Sequence, residues 1–94
     1  MDIIWDEKKC QWLKQERQLS FETFAELIRL RLYSNRMENP SNPKQMIFII
    51  PYRGYTYGVP FVIDANKNIV LKTIYPSRKF HKLYGGNQYE KDTA

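Results

Sequence analysis

Apolar residues change their spacing once along this chain, near residue 45: before it they recur at helical intervals, and after it they alternate or run continuously as in strands. Ile3-Ile4-Trp5 is a short apolar run bounded by charge, which predicts a first strand leading straight into a helix capped by Asp6. That helix, Asp6 to about Arg17, has Cys10, Leu13 and Trp12 as candidates for its buried side. Glu7 in its first turn and Lys14 and Arg17 in its last match the helix dipole. Ser20 caps a second helix, with Leu19 and Phe24 at hydrophobic-staple positions and Phe21, Phe24, Ala25, Leu27, Ile28 and Leu32 at helical spacing. Leu30 to Tyr33 fits either a continued helix or an extended segment, and Ser34 to Lys44, centred on Asn39-Pro40-Ser41-Asn42-Pro43, reads as a polar connecting loop.

From Gln45 to Ile50 a continuous, β-branched apolar run predicts a strand buried on both faces, followed by a turn at Pro51-Tyr52-Arg53-Gly54. Tyr55, Tyr57, Val59, Phe61 and Ile63 then share one strand face, and Thr56, Gly58, Pro60 and Val62 the other. Pro60 lacks a ladder donor, so this strand is expected at an edge or with a bulge nearby. Asp64 to Asn68 predicts a hairpin loop, and Ile69 to Tyr75 a last strand. Pro76 keeps Tyr75 extended, and Ser77 caps a short helix carrying Arg78, Lys79, His81, Lys82 and Tyr84. The expected order is β-α-α-β-β-β-α. This is an α+β fold in which a helical pair covers one face of a small antiparallel sheet. Residues 1–84 form one domain and 85–94 a flexible polar tail.

Composition narrows the function. The 94 residues are 43% hydrophobic and 15% aromatic, as in a folded chain. No apolar run is long enough for a membrane helix, the start does not resemble a signal peptide, and one cysteine makes no internal disulfide, so a cytoplasmic location without membrane contact is expected. The net charge of +5 is uneven: residues 1–43 are neutral, whereas residues 44–84 carry a net +6, with Asp64 their only acidic group. That asymmetry points to a polyanionic partner, nucleic acid or an acidic protein segment.

With one His and one Cys, no metal-ligand cluster is expected; neither a glycine-rich phosphate loop nor a nucleophile elbow is present, and no cofactor is expected. Arg, Lys, His and Tyr remain, and these can cleave RNA. Cleavage needs a base for the ribose 2′-OH, positive charge for the phosphorane, and an acid for the leaving 5′-oxygen. Arg78, whose fork binds two phosphate oxygens, suits the charge role, with Lys79 and Lys82 adding to it. His81 or Tyr84 can transfer protons. Arg53, Tyr55 and Tyr57, with Lys72 at the end of the last strand, are candidates for contacting phosphate or stacking on bases.

The opening Ile3-Ile4-Trp5-Asp6-Glu7-Lys8-Lys9, the helix start Leu19-Ser20-Phe21-Glu22 and the strand-turn-helix from Lys72 to Tyr84 resemble the BrnT-type toxins of type II toxin–antitoxin systems, within the RelE/ParE-like superfamily. The resemblance spans roughly residues 3–84 and includes a Tyr six residues after Arg78. It implies a bacterial ribonuclease toxin that blocks translation, with Arg78, Lys79 and Tyr84 at the family's basic and aromatic C-terminal positions. It further implies neutralisation by a cognate ribbon-helix-helix antitoxin, an RNA substrate, free or on the ribosome, and contact with operator DNA only through the antitoxin. The chain departs from the family in having Phe80, His81 and Lys82 where a run of arginines and glutamates is usual, and in the prolines of its central hairpin, Pro51 and Pro60. A ParE-like toxin acting on gyrase and a non-catalytic basic binding module remain as alternatives.

Overall fold

Six strands form one mixed sheet in the computed structural model, which describes residues 2–85. β1 (Ile3–Trp5) is followed by α1 (Glu7–Glu16), α2 (Phe21–Arg29), β2 (Asn35–Glu38), β3 (Met46–Tyr52), β4 (Tyr55–Ile63), β5 (Ile69–Leu71), β6 (Tyr75–Pro76) and α3 (Arg78–Phe80), which runs on as a π-helical turn, His81–Gly85. The strand order is β1-β5-β4-β3-β2, with β6 also paired to β4. β1 joins parallel to β5, and the other pairs are antiparallel. The α+β class and the helical pair agree with the sequence. The tail from residue 86 onward lies outside the described residues.

The predicted caps of α1 and α2 are in place: the Asp6 carboxylate accepts the Lys8 N–H at 2.9 Å and the Ser20 hydroxyl accepts the Glu22 N–H at 3.1 Å. Cys10 and Leu13 of α1 and Phe21, Phe24, Ala25 and Ile28 of α2 pack with Phe48, Ile50, Val59, Phe61 and Leu71 of the sheet into the main core. The Cys10 thiol is therefore a packing group. Trp12 and Leu32, both candidates for the buried stripe, are instead exposed. Trp12 lies at the surface between Lys9 and Arg17, with their cations 4.6 and 5.0 Å from its ring.

The strand half holds two additions. Asn35–Glu38, expected as loop, pairs with β3 as an edge strand; only Met37 of its four residues turns toward a core, so it has no apolar pattern to betray it. The expected last strand is divided: β5 pairs Phe61 to Ile63, β6 pairs Tyr57 and Gly58, and residues 72–74 step out between them. That step lies opposite Pro60. β4 is a central strand, not an edge, and the ring nitrogen that cannot donate meets an interruption in its neighbour. The displaced backbone finds other partners: Lys72 N–H donates to the Pro60 carbonyl at 2.8 Å, and the Arg17 guanidinium donates to the Ile74 carbonyl at 2.7 Å.

The opposite face of the sheet carries a smaller core, Ile47 and Ile49 with Phe80, bordered by Met37, Tyr75 and Tyr84. Thr56 and Gly58 face this side, and their small size lets the last segment lie close. A Cβ on Gly58 would sit 2.6 Å from Tyr75 Cζ. The burial that follows pushes the Tyr75 hydroxyl above its ordinary pKa.

Candidate active site

A cleft of about 190 Å³ opens where the β3–β4 hairpin tip meets the final turn, lined by Pro51, Arg53, Tyr55, Thr56, His81 and Gly85 among others. The tip is a two-residue turn, since Tyr52 pairs with Tyr55 across Arg53 and Gly54. Both turn residues have positive φ, 50° and 78°, the pattern of a type I′ turn that Asn-Gly suits best. An arginine in the first position costs on the order of 1 kcal/mol in backbone strain. Its guanidinium lies 5.2 Å over the Tyr52 ring.

Thr56 organises the cleft. It is the buried polar residue among the described residues, 1% exposed. Its carbonyl accepts the Ser77 N–H at 3.0 Å, which pins the start of α3 to β4. Its Oγ1 lies 3.0 Å from His81 Nδ1, so the same residue orients the imidazole one turn later. Tyr55 stacks on the His81 ring with centroids 4.5 Å apart and planes 25° from parallel. Gly85 closes the back: a Cβ there would collide with Thr56 Oγ1 and stand 2.7 Å from His81 Nδ1. Ser77 caps α3 through its hydroxyl, which accepts the Phe80 N–H at 3.1 Å, and Phe80 anchors the turn in the smaller core.

Arg53, Tyr55 and His81 thus meet in one cleft, although 28 positions separate the first from the last. Arg78 and Lys79, both exposed, begin the helix whose first residue follows the pinned Ser77, and Lys82 is exposed beside His81. Arg78 and His81 are three residues apart and so share one side of that turn. Tyr84 points elsewhere: its hydroxyl accepts a hydrogen bond from Asn35 Nδ2 at 3.1 Å and its ring packs toward Phe80. Tyr57 packs edge-on to Phe24 and Tyr52 on the helix-covered face, and Lys72 is exposed beyond β5. Among the described residues no three His, Cys, Asp or Glu side chains converge as metal ligands. No helix among them is long and apolar enough to cross a membrane.

The sequence reading passed over Thr56. A signal was present, since Thr56 shares a strand face with Gly58 and Pro60, and a face of small residues in an aromatic strand leaves room for a covering element.

No family model and no curated protein matches this chain. Among solved structures it is similar to the ribonuclease toxin BrnT of Brucella abortus, with a TM-score of 0.62 over 82% of this chain and 96% of that one, at 19% identity. The two share a fold, the one implied by the resemblance at residues 3–9, 19–22 and 72–84.

Proposed function

We propose that this chain is the toxin of a type II toxin–antitoxin system, a ribonuclease that needs no metal and inhibits translation. The observation that carries the reading is the His81 imidazole, held between the Thr56 hydroxyl and the Tyr55 ring in a cleft with Arg53 at its mouth. The likeness in fold to a ribonuclease toxin and the basic excess of the strand half support it.

The reaction follows from the roles available. His81 takes the proton from a ribose 2′-OH, and the resulting oxygen attacks the adjacent phosphorus. The phosphorus–O5′ bond then breaks, and the leaving 5′-oxygen takes a proton from water, which the His81 imidazolium replaces, so the base is regenerated. Negative charge on the phosphorane is met by Arg78 and Arg53, with Lys79 and Lys82 adding to the local potential. Tyr55, beside the imidazole, offers an edge against which a base can pack, and the exposed Lys72 adds positive charge, whereas Tyr57 is held in the helix-covered core. His81 lines the cleft, whereas Tyr84 is held toward Asn35 and Phe80, so the proton transfer is assigned to His81. A cognate antitoxin of the ribbon-helix-helix type neutralises the toxin in the cytoplasm and carries the contact with operator DNA; the RNA is cut free or on the ribosome.

Induced in growing bacteria, the wild type is expected to halt protein synthesis with fragmentation of RNA, and folded Arg78→Ala to be harmless. Arrest with intact RNA and signs of DNA damage would transfer the reading to gyrase. Unimpaired growth on expression of the wild type would remove the toxin reading altogether.

A further inference from the structure

A second and larger depression, about 550 Å³, lies where α2 ends over the sheet. Its floor is apolar, with Ile28, Phe48 and Ile69, and its rim holds Arg29, Arg31 and Arg36. These three cations come from the half of the chain whose net charge is zero, so folding gathers a basic cluster that charge counting along the sequence does not show. The way α2 stops is responsible. Arg31 N–H donates to the Ile28 carbonyl and Leu32 N–H to the Leu27 carbonyl, at 3.0 and 2.9 Å, the pattern of a Schellman ending. Arg31 occupies the left-handed position, φ 58°, that glycine usually fills. Gln18 does the same after α1, so the conformation alone marks nothing. Arg31 differs in that its side chain lines the groove. The chain then turns into β2, which supplies Arg36 from the facing edge.

Little acid is on hand to neutralise this rim. Glu26 pairs with Arg29 at 3.4 Å on an exposed surface; the other ion pair among the described residues, Lys14–Glu22, involves none of the rim arginines. Leu30 and Leu32, 59% and 53% exposed, flank Arg31 along the chain. We propose that this groove docks an acidic, amphipathic peptide segment of a partner protein, with apolar side chains on the floor and carboxylates on the arginine forks. Arginine pairs with carboxylate in a two-bond geometry, and an apolar floor within a charged rim is the usual plan of a peptide groove. RNA fits less well. Phe48 is already stacked by Phe61 at 4.2 Å and packed by Tyr33 at 4.9 Å, so the ring at the floor is taken up within the protein, and the half-buried Tyr33 is the one other aromatic side chain of the groove. A second copy of this chain would bring a net charge of +5 against the rim. The inference goes beyond the ribonuclease reading and stands whether or not that reading holds.

The test is selection of a displayed library of random dodecamer peptides on the immobilised chain, counter-screened on Arg31→Glu/Arg36→Glu. Enriched peptides are expected to combine Asp or Glu with Leu, Ile, Phe or Val, and to bind the double variant at least about tenfold more weakly. Arg31→Gly separates recognition from folding: glycine suits the left-handed position, so this variant should melt no lower than wild type and still bind the selected peptide more weakly. The proposal is overturned if no peptide is enriched, if the enriched peptides are basic or purely apolar, or if they bind the double variant equally well. A short RNA that moves the amide resonances of Arg31 and Arg36 more than those of His81 and Thr56 would assign the groove to nucleic acid and likewise overturn it.

Discussion

The cleft at the hairpin tip and the groove at the end of α2 are both basic, yet they are built in opposite ways. In the cleft the imidazole is fixed: Thr56 grips His81 through its side chain and Ser77 through its backbone, and Gly85 admits no further atom behind them. In the groove the floor is fixed by the core, while the cations stand on long side chains at its rim. A positioned imidazole in a small cleft is suited to moving a proton. Flexible guanidinium groups around a broad apolar floor are suited to holding a chain of opposite charge. On the proposed reading, one small domain keeps its chemistry and its recognition on different parts of the same sheet.

Variants can break that division in order of expected effect. The largest is loss of RNA cleavage in His81→Ala, roughly 10²- to 10⁴-fold, the range over which a positioned acid or base acts, while peptide bound in the groove is retained. Thr56→Val, which keeps the shape and removes the hydroxyl, should lower the cleavage rate by about 10²-fold through loss of orientation, and Thr56→Ser should recover most of it. A purely structural role for Thr56 would instead show as loss of thermal stability without the rescue pattern in rate. Gly85→Ala drives a methyl group against Thr56 and His81; it should reduce cleavage and cost about 1–3 kcal/mol in a denaturant titration, and normal cleavage in that variant would show that the grip on His81 is dispensable.

The smallest effect lies far from both regions. Lys14 Nζ sits 2.9 Å from Glu22, and that hydrogen bond lowers the Glu22 pKa and raises that of Lys14. The carboxylate's share of stability is present above the ordinary glutamate range and is lost as the pH falls through the depressed Glu22 value. The lysine's share is present below its ordinary value and is lost as the pH rises through the raised one. Both groups are exposed, so salt should screen the pair. Glu22→Gln should therefore flatten the acid limb of a melting-temperature profile slightly at low salt and leave it unchanged at high salt.

The sequence made the helical half and the hairpins legible because their caps and turns are local. Asp6 and Ser20 act on residues two positions away, and Asp64 accepts N–H groups from Asn66 and Asn68 within its own loop. What escaped depends on distant partners. β2 has no apolar period, and its pairing exists only because β3 lies beside it. Pro60 predicts an edge or a bulge nearby, but β4 is central and the interruption sits in the neighbouring strand. At the site, Arg53, Tyr55 and His81 were readable as residue types, whereas Thr56 gained its role only when the last turn folded across it. The arginine rim was hidden in the same way, by acids that cancel its charge in a count, of which Glu26 alone pairs with a rim arginine among the described residues.

The measurement that bears most directly on the cleft is incubation of a defined RNA with purified wild type and His81→Ala in chelator, first free and then with translating ribosomes. The account predicts discrete cleavage by wild type in at least one of these conditions and almost none by a folded His81→Ala. RNA left intact by wild type in both, or cut by the variant at the wild-type rate, would contradict it.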